Sequence, residues 1–369
     1  MGLFDPLKGY LAPRLAAAEA RKLQGIAAEK SPAVLQHEYD SARRALLGDF
    51  ASTPASACQA CMANAKAARR RERLERVNRV LVSCPVHATV ASRLRGDMDE
   101  VEQMRCAQHV YLTNDPKLPD DLRTTALPGF LKPSDEELVG LGLDDKVLNP
   151  VNSNFRAAVY KKDPAVWGEN PKPPYTLAFR GSTPELEDWQ NNFAQDANRE
   201  SSYYERAVQI GNALAKNRAD VHIVGHSLGG GLASAAQGGS GLTASTYNAA
   251  GLHPETVARY SQDINHMAAE AHRIAAIRVE GEVLTKIQEN LIGSRGLSML
   301  ANDAVGIQRD PPAPTDAAQF AALVRDGKQI QGETHDSYLH GMDQVIAAME
   351  KQKAADEAAL KSCLNGEDR

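Results

Sequence analysis

The sequence predicts an α/β protein with a mostly parallel sheet, preceded by an N-terminal helical region. Three observations predict this class. Helical patterning runs through residues 1–112, with a break at 51–57. From about residue 154, short apolar runs alternate with helical segments, which is typical of a parallel sheet covered on both faces. Between one apolar run and the next helix lies Ser227, flanked by glycines in a tight strand-to-helix turn.

The length and the net charge of the chain limit the classes of protein to which it can belong. A chain of 369 residues can bury at least one large core, and its length favours two domains. The net charge of −5 argues against a nucleic-acid-binding protein. The first residues have no basic start followed by an apolar core, and no stretch approaches the ~18 apolar residues of a membrane span. We therefore expect cytoplasmic synthesis without a signal peptide, and any export by a signal-less route.

The N-terminal half divides into helices and a linker. A long helix is predicted at about 58–82 and ends at Cys84-Pro85, and a second helical stretch continues to about residue 111. The domain prediction is a helical region at 1–112, a linker rich in Pro, Asp and Gly at 113–150, a sheet domain at 151–350 and a charged, frayed tail at 351–369.

Four residues of the helical region have the spacing of a metal or disulfide site. Cys58 and Cys61 lie near the start of the first helix. Cys106 and His109 lie near the end of the second. If the two helices form an antiparallel hairpin that turns near Pro85, the four side chains lie opposite one another. They predict a Cys3His zinc site or a disulfide, and the third interpretation is reduced, partly buried cysteines. We assign no metal and no cofactor.

The sheet domain is predicted from apolar runs with β-branched residues and from helical periodicity between them. The predicted strands are 155–160, 175–179, 221–224, 244–249 and 273–279. The predicted helices are 201–217, the small-residue helix after Ser227, and 342–350.

The turn around Ser227 has the pattern of a nucleophile elbow. Its sequence is Gly225-His226-Ser227-Leu228-Gly229, and a Cβ at either glycine would collide with the neighbouring strand or helix. A serine hydroxyl becomes a strong nucleophile only when a histidine takes its proton and an acid fixes that histidine. In this fold class the partners follow in the order serine, acid, histidine. The backbone N–H of Leu228 would be one donor to the oxyanion, and a loop after an earlier strand should supply the second.

That loop is recognisable by a resemblance. Residues 179–183 (Phe-Arg-Gly-Ser-Thr), followed by Asp188-Trp189, resemble a stretch of the class 3 (fungal-type) lipases, as does Gly-His-Ser-Leu-Gly-Gly at 225–230. The resemblance covers roughly residues 150–350 and implies an α/β-hydrolase fold. It also implies that Ser182 is the oxyanion-hole residue and that residues 183–193 are the lid.

Two further stretches resemble a second group of proteins. Residues 248–252 (Asn-Ala-Ala-Gly-Leu) and 281–284 (Gly-Glu-Val-Leu) are similar to stretches of bacterial phospholipase-type relatives, including secreted interbacterial effectors.

The acid and the histidine each have an alternative. The lipase family usually has an aspartate just past the strand at 273–279, whereas this chain offers Glu282 as the better match and Glu280 as the reserve. His340 precedes a helix directly and is followed by a glycine, so it is the first choice for the base. His335 stays the alternative, and we expect His226 and His253 to be structural.

The sequence thus predicts a serine lipase or phospholipase that hydrolyses glycerolipid esters without a cofactor. Its predicted triad is Ser227, Glu282 and His340, and its oxyanion hole is Ser182 and Leu228. The resemblance implies a lipid or phospholipid substrate, and with it transient contact with a membrane surface. The net charge of −5 argues against a nucleic-acid partner. We also expect a secreted effector with secretion-machinery or inhibitor partners. Two alternatives stay open: a non-catalytic interaction scaffold and an esterase for small soluble esters.

Overall fold

The computed structural model describes residues 31–52, 59–112, 126–182, 201–284, 303–329 and 333–366. Within these residues one seven-stranded sheet has its strands side by side in sequence order. The strands are β1 (Phe130–Leu131), β2 (Ala157–Lys162), β3 (Tyr175–Phe179), β4 (Val221–His226), β5 (Ala244–Tyr247), β6 (Ile274–Ile277) and β7 (Ile307–Arg309).

The helices surround this sheet. They are α1 (Pro32–Leu47), α2 (Gln59–Ser83), α3 (Ala88–Leu112), α4 (Asp135–Gly140), α5 (Asp145–Leu148), α6 (Pro164–Trp167), α7 (Ser202–Lys216), α8 (Leu228–Ser240), α9 (Thr256–Tyr260), α10 (Ala317–Arg325), α11 (His335–Leu339) and α12 (Met342–Asn365). Short 3-10 turns lie at Gly48–Phe50, Pro85–His87 and Ala271–Arg273.

Strand direction confirms the predicted fold class. β1 and β2 are antiparallel to their neighbours, whereas β3 to β7 are parallel to one another. The carboxyl ends of the parallel strands therefore meet at one edge of the sheet, where α/β proteins bind their ligands. The sequence did not predict β1 and β7, because runs of two and three residues are too short to show periodicity.

The sheet order decides which segments cover each face. Since successive parallel strands are neighbours and their crossovers are right-handed, the crossover helices α7 and α8 lie on the same face. Leu177 of β3 and Ile223 of β4 pack into the hydrophobic cluster on that face. Their neighbours Ala178 and Val224 point to the other face, into a second cluster.

The second face is covered by α1, α3 and α12, which lie outside the strand-and-helix alternation. Leu46 of α1, Val101 and Met104 of α3, and Val345 and Met349 of α12 are fully or almost fully buried in that cluster. Part of the N-terminal helical region thus shares a core with the sheet. The division of the chain at residues 112, 150 and 350 stays a prediction.

The C-terminal helix differs from the prediction. We expected it to end near Glu350 and to be followed by a frayed tail, but α12 continues to Asn365. Leu360 and Cys363 lie in a buried cluster with Val77 of α2 and Leu94 of α3, and a disulfide joins Cys363 to Cys84. The prediction was wrong because Leu360 and Cys363, about one helical turn apart, are hard to recognise as a buried face among the many charged residues of this segment.

The cysteine site predicted in the helical region is only partly described. Cys58 lies outside the described residues, and Cys61 is exposed. Cys106 is a buried thiol, and burial raises its pKa well above the ordinary value. His109 places Nδ1 at 2.9 Å from the Tyr160 hydroxyl. In the described ranges, no group of three or more His, Cys, Asp or Glu side chains could hold a metal ion.

Among the helices in the described part of the chain, none combines the length and the apolar character needed to cross a bilayer.

Candidate functional site

The turn between β4 and α8 holds Ser227 in a conformation that L-residues rarely adopt. Its backbone angles are φ 57° and ψ −126°. A Cβ on Gly225 would lie 2.0 Å from the carbonyl oxygen of Gly229. A Cβ on Gly229 would lie 2.4 Å from the carbonyl oxygen of Phe179. The two glycines therefore allow strand, turn and helix to approach as closely as the elbow requires.

Backbone hydrogen bonds fix the strained serine on both sides. The Ser227 N–H donates to the carbonyl of Tyr247 at 3.1 Å, which ties the turn to β5. The Ser227 carbonyl accepts from the N–H groups of Gly230 and Ala250, both at 2.9 Å. The serine is thus held by its own helix and by the neighbouring strand end, as a strained residue must be.

Ser227, His340 and Glu282 form one hydrogen-bonded chain. The Nε2 atom of His340 lies 3.0 Å from Oγ of Ser227, and its Nδ1 atom lies 2.8 Å from Oε2 of Glu282. Because a carboxylate only accepts, Nδ1 carries the proton of the neutral imidazole and Nε2 accepts from the serine hydroxyl. The Glu282 side chain is fully buried. The arrangement can remove a proton from Ser227 and stabilise the imidazolium that results.

The alternatives to Glu282 and His340 lie elsewhere. Glu280 is exposed, and its N–H donates to Pro311. Nε2 of His335 bonds the carbonyl of Thr315 at 2.8 Å. His253 accepts at Nδ1 from the N–H of Glu255. The structure therefore brings Glu282 and His340 to Ser227 and places the other candidates in contacts of their own.

The loop after β3 packs against the elbow. A Cβ on Gly181 would lie 2.4 Å from the carbonyl oxygen of His226, so the backbone preceding Ser182 touches the strand that ends at the nucleophile. The guanidinium of Arg180 anchors this loop by donating to the side-chain oxygen of Asn154 at 2.8 Å. Ser182 is half-buried at the end of the described loop, and the predicted lid at 183–193 lies outside the described residues.

Two polar side chains bond the His340 carbonyl and a third bonds one of these two, and their importance was not predicted. His226 was expected to be structural; its Nε2 lies 2.7 Å from the carbonyl oxygen of His340. Tyr111 of α3 places its hydroxyl 3.0 Å from Nδ1 of His226. Asn248, directly after β5, donates to the same His340 carbonyl at 3.1 Å. No catalytic motif includes Tyr111, and only the position of Asn248 at a strand end could have indicated it.

Burial and a neighbouring charge keep His226 neutral. Desolvation, with a smaller contribution from the neighbouring His340, lowers its pKa to about 3. The two imidazole rings are 5.0 Å apart. His226 is therefore neutral near pH 7 and adds no positive charge beside His340.

Comparisons with known proteins show which family this chain resembles. Residues 102–334 match the family described as a Tle-like phospholipase domain. The chain is also 32% identical, over 228 residues, to the extracellular phospholipase A1 of Serratia liquefaciens. That match covers 61% of this chain and 65% of the relative, slightly less than two thirds of its length.

The family match confirms one of the two resemblances. The similarity to bacterial phospholipases is confirmed, and the similarity to the class 3 lipases stays a prediction. The matched region starts within α3 and includes Ser227 and Glu282, whereas His340 follows it. The chain belongs to the family of Tle-like phospholipase domains.

Proposed function

We propose that this protein hydrolyses an acyl ester of a phospholipid, with Ser227 as nucleophile, His340 as base and acid, and Glu282 as the group that orients His340. The observation that carries the proposal is that these three side chains form a hydrogen-bonded chain and that the backbone of Ser227 is strained in the turn between β4 and α8. A scaffold that only bound a partner would need neither the strain nor the chain. Membership of the phospholipase family supports the substrate class.

The reaction follows from the positions of the three groups. His340 Nε2 takes the proton of the Ser227 hydroxyl while Oγ attacks the ester carbonyl. The N–H of Leu228 and Ser182 would hold the oxyanion that forms. When the ester bond breaks, His340 gives the proton to the departing alcohol oxygen, and the acyl group stays on Ser227. A water molecule, deprotonated by His340, then releases the fatty acid and restores the serine.

We further propose that the protein acts outside the cell that makes it, as an effector. The relative from Serratia liquefaciens is described as extracellular. The disulfide between Cys84 and Cys363 supports the same location, because disulfides form and persist mainly in oxidising compartments. Immunoblotting of culture medium and washed cells tests this part. Protein found only in lysed cells would contradict it. The secretion-machinery and inhibitor partners stay predictions.

Hydrolysis of two substrates tests the proposed activity. Purified wild type and Ser227→Ala are given phosphatidylglycerol vesicles and, separately, a short-chain nitrophenyl ester. We expect wild type to release fatty acid from the vesicles and Ser227→Ala to fall to the uncatalysed rate. His340→Ala should lose activity as well. His335→Ala is the matched control and should retain it, because His335 bonds Thr315 and not the nucleophile.

The other outcomes identify the alternatives. Hydrolysis of the short ester without hydrolysis of vesicles would indicate an esterase for small soluble esters. A folded wild type that is inactive on both substrates would contradict the proposed function and favour an interaction scaffold. Loss of activity in His335→Ala but not in His340→Ala would contradict our assignment of the base.

A further inference from the structure

Two side chains donate hydrogen bonds to the main-chain carbonyl oxygen of His340. It accepts from Nε2 of His226 at 2.7 Å and from Nδ2 of Asn248 at 3.1 Å. The same amide group of Asn248 also donates to the carbonyl of Leu339 at 3.1 Å. Two side chains from two adjacent strand ends thus hold the short segment that carries the proposed base. An amide and an imidazole both have fixed donor directions, so they restrict the orientation of the carbonyl that they bond.

Asn248 also holds the segment that carries the acid. Its Oδ1 accepts from the N–H of Val279 at 2.9 Å, and its own N–H donates to Ile277 at 2.9 Å. The carbonyl of Val279 in turn accepts from the N–H of Glu282 at 3.2 Å. One buried amide therefore connects the backbone before Glu282 with the backbone of His340. The positive φ of Asn248, 40°, is a conformation that Asn tolerates better than most residues.

The protons of His226 can be assigned from its partners. A carbonyl oxygen only accepts, so Nε2 of His226 carries the proton that is donated to His340. Nδ1 then lacks a proton and accepts from the hydroxyl of Tyr111 at 3.0 Å. The hydroxyl also lies 3.2 Å from the carbonyl oxygen of His226. Gly181 provides the space, since a Cβ there would lie 2.0 Å from Oη of Tyr111.

We propose that His226, held by Tyr111, and Asn248 are positioning residues, which clamp the His340 backbone so that its imidazole faces Ser227 and Glu282 together. The inference rests on the proposed function, because it assigns a role within that site. It also gives α3 a part in catalysis, since Tyr111 lies one residue before the end of that helix. A shift of about 1 Å in a reacting group can lower a rate about 100-fold, so such a clamp has a measurable effect.

Paired substitutions of His226 provide the first test. In His226→Leu, the His340 carbonyl loses its imidazole donor, and we expect kcat to fall about 10- to 100-fold with KM changed less than about threefold. His226→Gln keeps a donor for that carbonyl and an acceptor for Tyr111, and should restore kcat to within about fivefold of wild type. His222→Leu makes the same change near the other end of β4, and should leave kcat within about twofold.

A spectroscopic measurement tests position directly. The proton between Nδ1 of His340 and Glu282 should give a low-field proton NMR signal in wild type, protected from exchange by the short hydrogen bond. We expect this signal to broaden or vanish in His226→Leu and in Asn248→Ala, and to persist in His222→Leu and His226→Gln. Circular dichroism confirms that each variant is folded.

The experiments distinguish a failure of the proposed function from a failure of the clamp. If wild type hydrolyses neither substrate, the proposed function fails, whereas loss of the NMR signal in His226→Leu would still support the clamp. If wild type is active and His226→Leu and Asn248→Ala keep its kcat and its low-field signal, the clamp is wrong. If His226→Gln is as slow as His226→Leu, the bond to the carbonyl is not what matters, and the proposal is again overturned.

Discussion

At the scale of single residues, the acid of the proposed triad is a glutamate that reaches the imidazole by folding back. Gly281 has a φ of 83°, a left-handed conformation that favours glycine and turns the chain after β6. The N–H of Leu284 donates to Oε2 of Glu282 at 2.8 Å, and that same oxygen bonds His340. The extra methylene of glutamate is therefore accommodated by a curled side chain, held by the backbone two residues later.

Glu282→Gln tests this assignment. The amide keeps the shape of the side chain but presents no charge to the imidazolium, and it can hold His340 in the wrong tautomer. We expect kcat to fall about 10²- to 10⁴-fold in a folded protein. Glu280→Gln is the matched control and should keep wild-type kcat, because Glu280 is exposed. The assignment would be contradicted if the two variants exchanged these results.

Much of the site can be predicted from the sequence, because its residues belong to short patterns. Ser227 lies in a five-residue motif, and chain order limits the acid and the histidine to a few candidates. The residues of the clamp, by contrast, could not be predicted from such patterns. Tyr111 lies 115 positions before His226, in a helix whose sequence has no catalytic motif. Contacts between distant segments depend on how the elements pack, which local patterns do not encode.

At the scale of elements, α3 lies on the sheet through polar as well as apolar contacts. Gln103 accepts from the hydroxyl of Thr176 on β3 at 2.6 Å. Glu100 accepts from the hydroxyl of Tyr247 on β5 at 2.7 Å, and burial raises the pKa of this glutamate. Asp97, fully buried, pairs with Arg309 of β7. One helix thus contacts three strands in turn, and its polar residues obscured its buried position in the sequence.

Strand β4 carries two histidines whose lowered pKa values make the free energy of unfolding depend on pH. Burial lowers the pKa of His226 to about 3, and burial with the charge of Lys162 lowers that of His222 to about 4. In the unfolded chain both imidazoles take up a proton below about pH 6.5. Between pH 6.5 and 4 the unfolded state therefore binds more protons than the folded state, and the free energy of unfolding decreases as the pH falls.

Urea unfolding at pH 7 and pH 5 measures this effect. We expect the free energy of unfolding to be lower at pH 5 by roughly 1–2 kcal/mol for each of the two histidines. In His222→Leu the difference between the two pH values should be smaller, because one of the two groups no longer titrates. Equal stability of wild type at both pH values would contradict the burial of these imidazoles.

At the scale of the whole molecule, the sequence predicts the kind of sheet but not what completes it. The alternation of apolar runs and helices from residue 154 correctly predicts parallel strands. Strand order cannot be derived from that pattern, and only strand order shows that the crossovers cover one face. The other face needs α3 and α12, which lie on opposite sides of the parallel strands in the sequence. A helical segment that precedes a sheet is easily assigned to a separate domain when the sheet order is unknown.

The disulfide between Cys84 and Cys363 connects the turn between α2 and α3 to the C-terminal part of α12, far from the proposed site. The cysteines are 279 positions apart, and Cys363 lies about 30 Å along α12 from Met342, the residue two after His340. A cross-link between such distant positions restricts the unfolded chain strongly, and native disulfides typically contribute about 2–5 kcal/mol to stability. Removing the disulfide between Cys84 and Cys363 should therefore lower the free energy of unfolding but leave the geometry around Ser227 unchanged.

Thermal unfolding with and without dithiothreitol is the measurement. We expect the reductant to lower the Tm of wild type by several degrees. The double variant Cys84→Ala, Cys363→Ala should unfold near the Tm of reduced wild type. The reductant should change the Tm of this variant much less. At 20 °C the double variant should hydrolyse the nitrophenyl ester with a kcat within about twofold of wild type, because the site is held by bonds near the other ends of α3 and α12. A Tm of wild type that does not respond to reductant would contradict the cross-link. A large loss of kcat in the folded double variant would instead mean that the disulfide end of α12 controls the position of His340.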